Sequence, residues 1–313
     1  MKKVLITGDM GFIGRNLTDS MRKKGYFVKG ADIKRSFNED LRNYNNALRL
    51  TKGIDCVYHL AAVVGGIGFL SNKKNHQDIF IDNSLINLNI IRACKKNNVK
   101  KILFVSSACV YFEGNAKESD TNLAKPENIY GWEKLNAEKL FNLYSEDIDI
   151  KIVRLQNIYG PYCKLKNSMA VADICQKVIK EKEFIEIWGT GCQVRNWVYV
   201  TDCVDFLINF MESNIAGVIN LGTDYPISIN ELAEKIIKIS KKRLKIKHIM
   251  GPTGTLFKSS DNSLRKSLFD WEPKVSLDEG LKKTYTWINN YLNSDNENDK
   301  KEISKKLKEE GFI

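Results

Sequence analysis

Lys3-Val4-Leu5-Ile6-Thr7-Gly8-Asp9-Met10-Gly11-Phe12-Ile13-Gly14 opens the chain with a short apolar run that ends in G-x-x-G-x-x-G. The run predicts a strand, and the residues after Gly11 predict a helix. Glycine permits a tight turn there and lets backbone come close to a pyrophosphate. A helix N-terminus adds free N–H groups and the positive end of its dipole. The second predicted strand, Phe27–Ala31, runs into Asp32. A carboxylate at that point accepts both adenosine ribose hydroxyls and repels a 2′-phosphate, which favours NAD over NADP. Lys34 and Arg35 follow closely and work against that preference.

Strand and helix patterns then alternate. Asp55–Leu60 is a third apolar strand, running into Ala61-Ala62, whose small side chains let a cofactor lie against backbone. Val63–Phe69 follows as a glycine-rich loop, either an active-site loop or a plain connector. Ile81–Asn97 predicts a helix with Leu85, Leu88, Ile90 and Ile91 on an apolar stripe. Strand Lys101–Val105 ends at Ser106-Ser107-Ala108-Cys109-Val110-Tyr111, and strand ends in open parallel sheets are where ligands gather. A helix over Tyr130–Glu146 and a strand over Lys151–Leu155 complete the rhythm. The pattern implies an α/β fold with a right-handed, doubly wound parallel sheet. Residues 1–160 form the dinucleotide-binding Rossmann domain, to which some later segments return. Residues 161–313 form mainly a smaller mixed lobe for substrate, with helices over Ala170–Lys182, Asp202–Met211, Asn230–Lys241 and Leu281–Leu292, and strand Ile185–Trp188. Ser294–Glu310 reads as a charged, solvated tail.

Tyr130-Gly131-Trp132-Glu133-Lys134 carries the chemistry. A tyrosine and a lysine four apart on a helix share one face, about 5–6 Å apart. Phenol loses its proton near pH ~10. A fixed ammonium favours phenolate and lowers that value, so the pair is suited to removing a proton from a substrate hydroxyl. Taken alone, the spacing also fits an ordinary amphipathic helix.

Composition excludes other classes. The net charge is +11, but the basic residues are spread along the chain, and anionic phosphates account for them more simply than nucleic acid. A run of ~18 apolar residues is missing, so no membrane span is expected. No cleavage pattern follows the N-terminal apolar stretch, so no secretory leader is expected. Seven cysteines without a C-x-x-C pair suggest reduced thiols in a cytoplasm. His59, His76 and His248 are too scattered to suggest a metal site.

Gly8, Gly11, Gly14, Asp32, Ser107, Tyr130 and Lys134 together resemble the extended short-chain dehydrogenase/reductase family. That resemblance implies NAD held by Gly8, Gly11, Phe12, Ile13, Gly14 and Asp32. It adds Asp40, Leu41, Leu60, Ala61, Ala62 and Asn83 to the cofactor set, with Tyr130 and Lys134 at the nicotinamide end. It implies that Ser107 and Tyr130 touch the substrate hydroxyl, that Lys134 holds nicotinamide ribose, and that the substrate is a nucleotide sugar. It also implies a homodimer or tetramer, the Ile81–Asn97 and Tyr130–Glu146 helices pairing across a two-fold axis.

Ala61–Phe69, Ser106–Tyr111, Asn157–Pro161 and Trp188–Gly191 are similar to the GDP-mannose 3,5-epimerases within that family, and to heptose 4-dehydrogenases related to them. Asn157, Lys177, Gln193 and Arg195 then fall on the nucleotide-sugar contacts, Lys258 near a diphosphate-binding arginine, and Gly66 and Met169 on the sugar. Cys109 matches one of the two proton-exchanging residues of those epimerases. It reads either as an acid/base or sugar contact, or as a small side chain kept for packing. Met169 stands where the second, a lysine, belongs. A thioether carries no exchangeable proton. Lys164 and Lys166 are the neighbouring substitutes. The expected function is therefore NAD-dependent C4 oxidation of a GDP-linked manno-configured sugar, with GDP-D-glycero-α-D-manno-heptose the specific expectation. Full 3,5- or 4-epimerisation is the alternative. A 4,6-dehydratase fits less well, because Ala108-Cys109 stands where that chemistry wants an acid, and a non-catalytic NAD-sensing protein is the reading from another class.

Overall fold

Lys3–Thr7 forms strand β1, flanked in parallel by Phe27–Ala31 (β2) on one side and Cys56–His59 (β3) on the other. The computed structural model describes residues 2–123 and 125–294, with backbone alone at 121–123. Lys101–Ser107 (β4), Asp149–Leu155 (β5) and Gly217–Leu221 (β6) extend the sheet beyond β3, all parallel, in the order β6-β5-β4-β3-β1-β2. The chain leaves β1 toward β2 and returns to its other side for β3. A crevice therefore opens beyond the carboxyl ends of β1 and β3, the place where open α/β sheets bind ligands.

Alternation along the strands divides the core. Val4, Ile6, Tyr58, Leu103 and Val153 face one side, packed under helices Phe12–Lys23 and Val200–Glu212. Leu5, Val57, Ile102, Phe104 and Ile152 face the other, under helices Tyr44–Thr51, Asn83–Lys96 and Ile129–Asn142. Burying each such side chain stabilises the fold by about 1.5–3 kcal/mol.

A third core lies in the later part of the chain. Helices Ala170–Lys180, Ile229–Ser240 and Leu277–Leu292 bring Ile174, Val178, Ile236, Leu281 and Ile288 together. Strand Phe184–Trp188 pairs in parallel with Lys245–Ile249. A separate four-stranded sheet orders Ile227–Ser228, Val194–Arg195, Phe257–Ser260 and Gly114–Ala116 side by side. Its register sets Lys258 beside Arg195.

Two sequence expectations change. The Ile81–Asn97 helix is a π-helical turn over Asp78–Asp82 followed by an α-helix over Asn83–Lys96. Ile90 and Ile91 are buried, but Leu85 and Leu88 are 40% and 37% exposed. The inner face is instead occupied by Asn83 and Asn87, which are buried because they hydrogen-bond a buried carboxylate, Glu133. The Tyr130–Glu146 helix spans Ile129–Asn142. Apart from Ser294, the charged tail lies outside the described residues.

One buried ion pair ties β5 to the Ile129–Asn142 helix. Arg154 donates to both Glu138 oxygens at 2.9 and 2.6 Å, and both side chains are almost fully buried. Tyr111 adds a further contact to the same guanidinium at 2.5 Å. Removing one member strands the other charge, at a cost of about 3–5 kcal/mol. Arg154→Met is expected to lose that much stability in urea unfolding, with the melting temperature lowered accordingly.

Candidate active site

A cavity of about 560 Å³ runs from the glycine-rich turn, past the ends of β3 and β4, to the small four-stranded sheet. Gly8 sits at φ +72°, and a Cβ on it would meet Ala61 N at 2.9 Å. A Cβ on Gly14 would meet Gly8 O at 2.1 Å. The turn therefore brings the Phe12–Lys23 helix against the strand ends at a separation that only glycine allows. No side chain caps that helix at Gly11, and Gly11, Phe12, Ile13 and Gly14 line the cavity with the helix N-terminus.

Asp32 lies at the end of β2 and lines the same region, its carboxylate accepting Met10 N at 3.2 Å and Lys34 N at 3.0 Å. Arg35 turns to Asp9 and Glu39, at 2.5 and 2.7 Å. The Arg35 guanidinium is thus held by other carboxylates, while Lys34 lines the cavity with Asp32. Asp40, Leu41, Leu60, Ala61 and Ala62 continue the wall, with Asp40 ion-paired to Arg42. The glycine cradle, the uncapped helix end and Asp32 fit an adenine dinucleotide.

Asn83 departs from expectation: it lies behind the wall. Its amide brackets the Val63 peptide, accepting Val63 N at 2.6 Å and donating to Val63 O at 3.1 Å. It acts on the cavity through backbone.

Ser107, Cys109, Tyr130 and Lys134 all line the middle of the cavity. Ser107 Oγ accepts Cys109 N at 3.1 Å, which fixes the hydroxyl at the end of β4. Asn128 caps the next helix through Gly131 N at 3.0 Å, holding Tyr130 in its first turn. Among the described residues, no hydrogen bond within the protein engages the Tyr130 hydroxyl. Lys134 Nζ stands 4.7 Å from the centre of the Phe104 ring and 5.6 Å from that of Tyr130.

The electrostatics correct the sequence reading. Burial pushes the Tyr130 phenol well above its usual value, with Cys109 and Glu133 adding to the rise. Burial pushes Lys134 down, while Glu133 and Glu138 pull it back up. For both groups burial is the largest influence. The ammonium lies over the ring face.

At the far end, Gly66, Asn157, Met169, Gln193, Arg195 and Lys258 share the wall. Lys258 pairs with Glu127 at 3.2 Å, and Arg195 donates to Val194 O and Thr255 O at 2.7 Å each. Gly66 N donates to Asn167 O at 2.9 Å, and a Cβ on Gly66 would meet Ser168 O at 2.0 Å. Lys177 lies outside this wall. It pairs with Asp173 at 2.8 Å and donates to Glu186 O at 2.8 Å, because its position on the Ala170–Lys180 helix turns it along the helix surface. Lys164 does line the cavity, donating to Val64 O at 3.3 Å, and burial lowers its pKa. Glu127 was not legible in the sequence, because its partner lies 131 residues away.

The fold and this cavity define a dinucleotide-dependent enzyme. Residues 4–222 match the family model for the NAD-dependent epimerase/dehydratase family. The chain is 36% identical to GDP-mannose 3,5-epimerase from Arabidopsis thaliana, over 91% of this chain and 82% of the relative. It is 29% identical to GDP-L-colitose synthase from Yersinia pseudotuberculosis, over 93% and 100% of the two chains. UDP-glucuronic acid 4-epimerase from Bacillus cereus, solved with UDP-glucuronic acid and NAD, superposes with a TM-score of 0.79 at 28% identity, over 91% of this chain and 98% of that one. UDP-glucose 4-epimerase from Thermotoga maritima, solved with UDP-glucose, gives 0.83 at 25% identity, over 93% and 99%. The chain belongs to the NAD-dependent epimerase/dehydratase family, and its cofactor is NAD. Among the described residues no helix is long and apolar enough to cross a membrane, and no three metal-ligating side chains converge.

Behind the wall, His59 is fully enclosed and bonded to Thr7 and Asn87 at 2.7 and 2.9 Å. Burial lowers its pKa from 6.5 to about 3. It is therefore neutral in the fold, while the unfolded chain takes up a proton near pH 6.5. This contribution is complete above that pH and falls away below it, by up to about 1.4 kcal/mol per unit. Between pH 6 and 4, the urea stability of wild type is expected to fall more steeply than that of His59→Gln.

Proposed function

We propose that this enzyme oxidises C4 of a GDP-linked manno-configured sugar to the 4-keto sugar, with GDP-D-glycero-α-D-manno-heptose as the specific substrate. Bound NAD supplies the hydride acceptor. Tyr130 takes the proton of the C4 hydroxyl, Ser107 hydrogen-bonds that oxygen, and Lys134 holds the nicotinamide ribose. General base catalysis of this kind contributes about 10²–10⁴-fold, with orientation supplying much of the rest. The guanine nucleotide is inferred from the GDP-mannose 3,5-epimerase relatives. Arg195 and Lys258, side by side in register, are the cations proposed for the diphosphate.

The observation that carries the reading is the Tyr130 hydroxyl, unengaged within the protein, on the same cavity as Ser107 and Met169. Met169 has no proton to exchange, which favours oxidation without inversion at C3 and C5. The buried, depressed Lys164 favours a second reading, a 3,5-epimerase in which it replaces the missing lysine. The exposed Leu85 and Leu88, with Trp132 at 48% exposure on the neighbouring helix, support a homodimer or tetramer built on these helices.

Tyr130→Phe is expected to abolish ketone formation while leaving NAD bound, as read by absorbance and cofactor titration. Full activity in that variant would end the assignment. In deuterated water, mass spectrometry is expected to find no label at C3 or C5, whereas rapid labelling of both would establish the epimerase. Sedimentation is expected to show a dimer or tetramer that Leu85→Glu weakens.

A further inference from the structure

A buried hydrogen-bonded chain runs behind the cavity from β1 to the loop after β3. Thr7 Oγ1 accepts Leu60 N and Ala61 N at 3.1 and 3.2 Å, so its proton goes to His59 Nδ1. His59 therefore carries its proton on Nε2 and donates it to Asn87 Oδ1. Asn87 Nδ2 in turn donates to Glu133 Oε1 at 2.6 Å. The other Glu133 oxygen accepts Asn83 Nδ2 at 3.3 Å, and Asn83 brackets both polar atoms of the Val63 peptide. The donors along this chain all point toward Glu133, which ends it as an acceptor.

Glu133 is 1% exposed. Among the described residues its oxygens bond only Asn83 and Asn87. A buried carboxylate without an ion-pair partner is costly; burial raises the pKa of Glu133, and Lys134 and the two asparagine amides pull it back down. Two features of this place depend on it. It lies beside Lys134 in sequence and bears on that ammonium electrostatically. It also anchors Val63, and Val63 packs with Val64, Cys109 and Tyr130 in one apolar cluster.

We propose that Glu133 is a positioning residue: with Asn83 it braces the Val63 peptide against the Tyr130–Lys134 helix, so that loop and base keep one geometry. The proposal rests on the oxidation assigned above for its kinetic consequence alone. Glutamine cannot replace the carboxylate here. One of its two termini is an N–H donor, which would face the amide nitrogen of Asn83 or Asn87. Flipping Asn87 would set its nitrogen against the His59 proton, and flipping Asn83 would set its nitrogen against Val63 N–H.

The test takes the full chain with NAD added and compares wild type, Glu133→Gln, Asn83→Ala and the double variant. Hydrogen exchange at the Val63 amide is expected to quicken at least about tenfold in each single variant, because Asn83→Ala removes the acceptor of that N–H and Glu133→Gln unseats the asparagine that carries it. NAD affinity should stay within about threefold, because the glycine turn and Asp32 are untouched, while single-turnover NADH formation slows about tenfold or more. The double variant should be no worse than the worse single, since both remove one unit. Unchanged Val63 exchange in a folded variant, or additive losses in the double, would overturn the brace. Should Glu133→Gln not fold, Asn83→Ala decides by the same exchange measurement. Wild type that forms no NADH with any GDP-sugar would remove the proposed function and leave the exchange result to judge the brace.

Discussion

The carbonyl of Gly8 leaves no space for a side chain at position 14, and the rest of the site follows from that closeness. It seats the Phe12–Lys23 helix with its uncapped end over the mouth of the crevice between β1 and β3. Ala61, on the far side of the crevice, also approaches Gly8 closely, though less so. The wall there is backbone rather than side chain, with Asp32 and Tyr130 both lining the same cavity. The helix dipole and its first amides face that space with no side-chain cap at Gly11.

Burial governs the chemistry at the other end. Tyr130 and Lys134 are placed close, yet each is driven toward its neutral form by loss of water. Burial also explains a carboxylate as near as Glu133: a lysine this deep stays protonated more readily with negative charge beside it. The same carboxylate ends a polar chain that begins at Thr7, so the end of β1, the loop after β3 and the Ile129–Asn142 helix share one buried network.

The far wall of the cavity is built largely by the later part of the chain. The pairing of Val194–Arg195 with Phe257–Ser260 sets two cations side by side, and Glu127 neutralises one of them. This arrangement keeps a buried lysine hydrogen-bonded within the protein. The strands of this small sheet are short, and Ile227 on its edge packs against the third core.

The local signals were legible. Gly8, Gly14 and Asp32 stand close in the chain, and their conformational demands are properties of single residues and short spans. The alternation of β1 through β5, and the spacing of Tyr130 and Lys134, are likewise periodicities a reader of residues can count. The structure decided what depends on distant partners. Lys177 turned away because Asp173 and Glu186 are at hand. Asn83 went behind the wall, and Leu85 and Leu88 stayed outside, because Glu133 on another helix made a polar inner face satisfiable. The phenol pKa moved up rather than down because burial, unlike spacing along a helix, is summed over every element packed around the group.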